Sequence, residues 1–99
     1  LTKMIDRNCR QAGRLADGLR RNNIEILNDV VLNQVVVAFG DANRTNRIID
    51  AVQADGTCWA GATVWRNRAA MRISVSAWAT TNADIEKTLN AILKAHRQA

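Results

Sequence analysis

Residues 30–39, Val-Val-Leu-Asn-Gln-Val-Val-Val-Ala-Phe, constrain the fold more than any other stretch of this chain. β-Branched side chains are stiff at χ1 and pack well on a pleated surface, so the run reads as a β-strand. From Val35 onward the apolar residues fall on both faces, which places the strand centrally in a sheet. Val35 to Phe39 is also the longest uninterrupted apolar run, at five residues. A membrane-spanning helix needs about 20, so none is expected. A central strand must be covered on at least one face, and the rest of the chain has to supply the cover.

Helical periodicity supplies it. Leu1, Ile5, Cys9, Ala12, Ala16 and Leu19 recur at steps of three and four, with Met4 and Leu15 widening the stripe. This predicts a helix over residues 1–22, ended by Asn22-Asn23. Asp6 with Arg10 and Asp17 with Arg21 stand at i,i+4 spacing on it. Residues 24–27 read as a short extended stretch, followed by a turn at Asn28-Asp29. Asp41 is placed to cap a helix over residues 42–54 that presents Ile48, Ile49 and Val52, with Gly56 at the left-handed C-cap position. Residues 57–65 and 69–77 form a hairpin about Arg66-Asn67-Arg68, where Asn67 tolerates positive φ. In the second strand Met71, Ile73, Val75 and Ala77 share one face, and Ala70, Arg72, Ser74 and Ser76 share the other. Thr81 and Asp84 resemble a capping box opening a last helix over 82–96, with Ile85, Leu89 and Ile92 on one side.

The order α-β-β-α-β-β-α predicts an α+β, two-layer sandwich. Its mostly antiparallel sheet has three to four strands, with three helices against it. At 99 residues there is room for one core, so residues 1–99 read as a single domain. The chain opens without Met and inside a helical pattern, which reads as a fragment of something longer.

Composition narrows the functional classes. Lys and Arg number 14 against 9 Asp and Glu, and 11 of the cations are Arg. Such charge suits nucleic acid, but acids are interleaved throughout and no run of five like charges occurs, which argues against that partner. Cys9 and Cys58 sit in no CxxC pair, and one His cannot complete a zinc set with them, so no metal site is expected. Reduced, structural cysteines fit a cytoplasmic chain. No phosphate-binding glycine loop exists, and His96 stands too near the end to read as a catalytic base. The acids beside turns read as caps. Arg72 is the residue singled out. It lies mid-strand beside Ser74 and Ser76, and its planar fork fits a carboxylate with two hydrogen bonds. Spacing alone favours a solvated face. The three tryptophans, Trp59, Trp65 and Trp78, fall on or beside the hairpin. Trp is also a large core residue, but three of them near one edge tilt the reading toward an interface, with Trp59 and Trp78 the candidates.

Three stretches carry a resemblance: residues 27–40, residues 54–59 (Ala-Asp-Gly-Thr-Cys-Trp) and residues 71–81 (Met-Arg-Ile-Ser-Val-Ser-Ala-Trp-Ala-Thr-Thr). Together they resemble the C-terminal small domain of pyridoxal-phosphate (PLP)-dependent amino acid decarboxylases, the group holding aromatic-amino-acid and glutamate decarboxylases. The resemblance spans essentially the whole chain and does not identify the substrate. It implies a homodimer of fold-type-I subunits in which a large domain carries PLP on a lysine that follows a histidine. No His-Lys pair occurs here, and Lys3, Lys87 and Lys94 match no such motif. The resemblance therefore implies that this chain alone binds no cofactor and is inactive. It implies that the small domain closes over the active site, and that Arg72, in Met71-Arg72-Ile73-Ser74, meets the substrate carboxylate. The turn Trp65-Arg66-Asn67-Arg68 has Asn where the family often has Gly.

A different class stays open. Residues 30–39, 42–54, 57–77 and 82–96 read as β-α-β-β-α, one strand short of a ferredoxin-like plait. Such a plait would serve as a free-standing module for an amino acid or RNA. A single Phe and no Tyr count against RNA. The decarboxylase reading also predicts self-association of the isolated chain, through the first helix's apolar stripe and Trp59 or Trp78.

Overall fold

In the computed structural model, which describes residues 3–28, 33–56, 60–75 and 81–99, the first helix ends where two asparagines stop it. Helix α1 runs Lys3–Arg21. Asn23 takes φ 63°. Its N–H bonds the Arg20 carbonyl at 3.0 Å, and Ile24 N–H bonds the Leu19 carbonyl at 3.1 Å. This is a Schellman closure, with buried Ile24 folding back beside Leu19. Asn22 adds a side-chain bond to the Gly18 carbonyl at 2.8 Å.

The chain then lays down β1 (Glu25–Ile26), β2 (Gln34–Ala38), α2 (Ala42–Asp55), β3 (Ala60–Trp65), β4 (Arg68–Ser74) and α3 (Asn82–Gln98). The expected order α-β-β-α-β-β-α holds. All strand pairs are antiparallel, and the sheet order is β1-β2-β4-β3. The apolar strand is central, between β1 and β4, as its two-faced hydrophobicity requires. Its described part is shorter than the sequence pattern. Phe39 leaves the ladder because its N–H bonds Thr45 Oγ1 at 3.3 Å.

Both expected caps form. Asp41 accepts from Arg44 N–H at 2.7 Å, and Gly56 closes α2 at φ 73°. Thr81 and Asp84 exchange bonds in a full capping box, at 3.1 Å and 2.8 Å, despite Asp in place of Glu. The hairpin turns through positive φ at Arg66 (48°) and Asn67 (67°), as a two-residue primed turn demands.

All three helices cover one face of the sheet. Ala12, Leu15, Ala16 and Leu19 from α1, Ile48, Ile49 and Val52 from α2, and Ile85, Ile92 and Ala95 from α3 surround Val35, Val37, Met71, Ile73 and Val75. Helices α1 and α3 meet at Gly18, where a Cβ would stand 2.6 Å from Leu89 Cδ2. Two expectations need correction. The α1 stripe over residues 12–19 is not a surface awaiting a partner, because the chain's own core consumes it. Asp17 pairs with Arg20 at 3.2 Å rather than with Arg21, since Arg20 at i+3 reaches it first.

Leu19 is fully buried at the α1 closure. Leu19→Ala should cost about 2–5 kcal/mol in chemical denaturation. His96 lies half-buried against Phe39, ring centroids 5.7 Å apart. Burial, then the positive charges of Arg44 and Arg97, lower its pKa from the ordinary 6.5. The unfolded chain therefore takes up this proton before the folded one. Stability from this contact is complete above about pH 6.5 and is lost as pH falls through the lowered folded value. His96→Gln should flatten the change in Tm between about pH 7.5 and about pH 5.5.

Candidate functional site

With the helices on one side, the other face of the sheet is open, and its side chains follow from register. Arg72 stands opposite Val36 of β2 and Gly61 of β3. Gly61 brings no side chain, and even a Cβ there would meet nothing within 4 Å. Arg72 is exposed, and among the described residues no acid pairs with it. Ser74 follows it on the same face, half-buried, and Gln34 is Ser74's cross-strand neighbour. The expected alternation of β4 is thus observed from Ala70 to Val75, with Met71, Ile73 and Val75 buried toward the helices.

A second arginine on the open face behaves differently. Arg68, at the start of β4, binds Glu25 of β1 through both guanidinium nitrogens, at 2.9 Å and 2.8 Å. Because β2 lies between β1 and β4, this fork must span it. Glu25 stands beside Ala38 in the ladder. Small residues make the crossing possible: Ala38 is 3% and Ala70 1% exposed, although both face away from the helices. The hydrogen bonds from Arg68, reinforced by its charge, lower the Glu25 pKa from 4.5. Sequence reading missed this pair, since 43 residues separate its members and no local spacing signals it. The result is a division of labour. One arginine of the open face is neutralised, and the planar donor fork of the other has no partner among the described residues.

Trp59 and Trp78 lie outside the described residues, as does Cys58. Trp65 is half-buried beneath Arg66, whose guanidinium carbon sits 5.9 Å from the ring centroid. A groove runs between α1 and α3, from Arg10 and Gln11 to Gly18 and Leu89. It holds none of the residues singled out from sequence. Among the described residues no cluster of His, Cys, Asp and Glu could hold a metal, and no helix is long and apolar enough to cross a membrane.

No family model and no curated protein matches this sequence. Solved structures do match its fold. Oryza sativa TDC, crystallised with PLP and tryptamine, superposes with TM-score 0.90 at 13% identity, over 97% of this chain and 22% of that one. The glutamate decarboxylase domain of diaminobutyrate-pyruvate transaminase and L-2,4-diaminobutyrate decarboxylase from Vibrio parahaemolyticus gives 0.75 at 20%, over 97% and 22%. The 8-amino-7-oxononanoate synthase of Francisella tularensis gives 0.75 at 15%, over 94% and 27%. This chain has their fold. It spans about a quarter or less of their lengths, and the synthase shows that one fold serves more than one reaction.

Above pH 4.5 both partners of the Glu25–Arg68 fork are charged. Its stabilisation is complete there and is lost as pH falls through the lowered folded pKa of Glu25. Glu25→Gln should therefore lower Tm modestly near neutrality, where the pair's contribution is complete, and leave it close to the wild-type value below the folded pKa of Glu25, which flattens the acid-side slope.

Proposed function

We propose that this chain is the C-terminal small domain of a PLP-dependent amino acid decarboxylase. In the intact protein it helps to close the active site, and Arg72 orients the substrate carboxylate. The observation that carries the reading is the Arg72 fork on the open sheet face, without a partner among the described residues, in a strand whose Met71-Arg72-Ile73-Ser74 resembles the decarboxylase motif. The shared fold of a PLP-bound neighbour supports it. The reading carries a large PLP-binding domain in the same polypeptide, a homodimer, an amino acid substrate and a cytoplasmic setting.

PLP supplies an electron sink for the carbanion left when carbon dioxide departs. This chain's own residues do not fit a site for it. Lys87 and Lys94 are exposed on α3, in the helical layer away from Arg72, and Lys3 opens α1. None follows a histidine. What the chain can contribute is recognition. A guanidinium fork bonds both oxygens of a carboxylate and fixes its plane, and Gly61 leaves room beside it for a ligand. A binding-module reading is less well served. β2, β4 and β3 with α2 and α3 do form the split β-α-β-β-α of a plait, with β1 filling the fourth sheet position from the N-terminal side. Among the described residues, however, its open face offers Trp65 as the one aromatic, too few for base stacking.

The test is the intact reading frame. It should encode a His-Lys pair upstream, bind PLP by absorbance and release carbon dioxide from an amino acid. In that protein Arg72→Ala should lower kcat/KM about ten- to a hundredfold with little change in Tm, because the side chain is exposed. Arg72→Lys should recover only part, since an ammonium keeps the charge and loses the fork. A frame without the pair, or unchanged kcat/KM in Arg72→Ala, would overturn the reading.

A further inference from the structure

One carboxylate already sits on the open face, and it belongs to the chain itself. Among the described strand residues, register leaves three charged side chains on that face: Glu25 on β1, and Arg68 and Arg72 on β4. Arg68 donates from both terminal nitrogens to the two oxygens of Glu25. This is the planar, two-bond geometry by which a guanidinium holds a free carboxylate. The face therefore presents two carboxylate forks, and one of them is occupied from within.

The two arginines share a shallow trough. They stand two same-face steps apart on β4, about 13 Å along the strand. The same-face residue between them is Ala70, with Thr63 of β3 directly opposite. Ala38 of β2, next to the Val37–Met71 pair, flanks Ala70 on the other side. Gly61 and Val36 flank Arg72. No long side chain stands between the two guanidinium groups. The Glu25–Arg68 fork lies over the Ala38 and Ala70 part of this floor, and both alanines are buried beneath it.

Charge decides what such a trough accepts. Two guanidinium groups against one carboxylate leave a single positive charge, and it resides on Arg72. A ligand with one carboxylate matches that charge. A second carboxylate finds Arg68 taken and meets the negative charge of Glu25 beside it. To bind, it must displace a carboxylate that the sheet tethers in place, and tethering gives Glu25 a high effective concentration at Arg68. The occupied fork is a repulsive element as well as a structural one, which is how binding sites reject a near analogue.

We propose that Glu25 is a specificity-determining residue, which by occupying Arg68 confines this site to amino acids with one carboxylate and turns away those with an acidic side chain. That the ligand is an amino acid rests on the decarboxylase reading. The count of carboxylates rests on the fork.

Nuclear magnetic resonance titration of the 99-residue chain tests the count, with butyrate as the monocarboxylate probe and glutarate as the dicarboxylate. The unaltered chain should bind both with similar Kd, with shifts centred on Arg72. Glu25→Gln removes the competing charge and releases Arg68. It should tighten glutarate at least about tenfold and leave butyrate within about twofold. Glu25→Gln combined with Arg68→Gln should return glutarate to its original Kd, which separates a released fork from a loosened sheet. In the intact enzyme, Glu25→Gln should raise kcat/KM for glutamate or aspartate, relative to the preferred substrate, by a similar factor. The proposal is overturned if Glu25→Gln gains no glutarate affinity, if the double variant keeps the gain, or if the unaltered chain already prefers glutarate. An active enzyme that favours a dicarboxylic amino acid, or whose substrate ratio ignores Glu25→Gln, overturns it equally. An intact protein that binds no PLP and releases no carbon dioxide overturns the decarboxylase reading instead, and the glutarate titration then decides the role of Glu25 by itself.

Discussion

Burial of the inner row of the two middle strands holds the other parts of the structure in place. Val35 and Val37 of β2 stand beside Ile73 and Met71 of β4, and all four are at most 1% exposed. Every helix packs toward this row. At about 25 cal/mol per Å² of apolar surface removed from water, it is the largest favourable term available to so small a chain. It also forces an asymmetry. Covering one face with three helices leaves the other face, and both edges, without helical cover. The polar features of the fold answer that exposure.

On the open face the answer is electrostatic and steric. Arg68 and Glu25 span the central strand and join β4 to the two-residue β1, which has few backbone bonds of its own. The crossing needs small residues beneath it, and Ala38 and Ala70 are there. Arg72, two same-face steps along β4 from Arg68, has no such partner among the described residues and stands beside the bare backbone of Gly61. A fork held open on a rigid strand is better organised for a carboxylate than one on a loop, because its backbone does not have to be ordered on binding. At the edges the answer is side-chain amides. Asn28 closes one open stretch with both of its groups, and Gln53 closes only the first position of the other.

Much of this was legible in the residues. The 3.6-residue recurrence along α1, the Asp41 and Thr81 caps, the Gly56 closure and the Asn67 turn are local features. Each depends on atoms within about one turn of chain, so composition and spacing report them. The alternation along β4 named the open face correctly and put Arg72 on it. Two features were not legible. The α1 stripe looked like surface for a missing partner, because periodicity reveals an apolar face but not what it packs on. Residues 12–19 of that stripe turned out to meet Ile24, α3 and β2 within the chain. Ala70 looked like a solvent-side residue, and its burial depends on a fork built from residues far apart in sequence.

The sequence by itself determined the elements, their order, their caps and the turn that sets the hairpin register, since these are settled by backbone sterics and short-range hydrogen bonds. Only the tertiary structure decided which arginine is neutralised and which has no partner among the described residues, and which edge of β2 is closed by an amide. Those outcomes depend on pairing strands that are distant along the chain. Glu25 reaches Arg68 because β2 and β4 are neighbours in the sheet, and no spacing along the sequence encodes that distance.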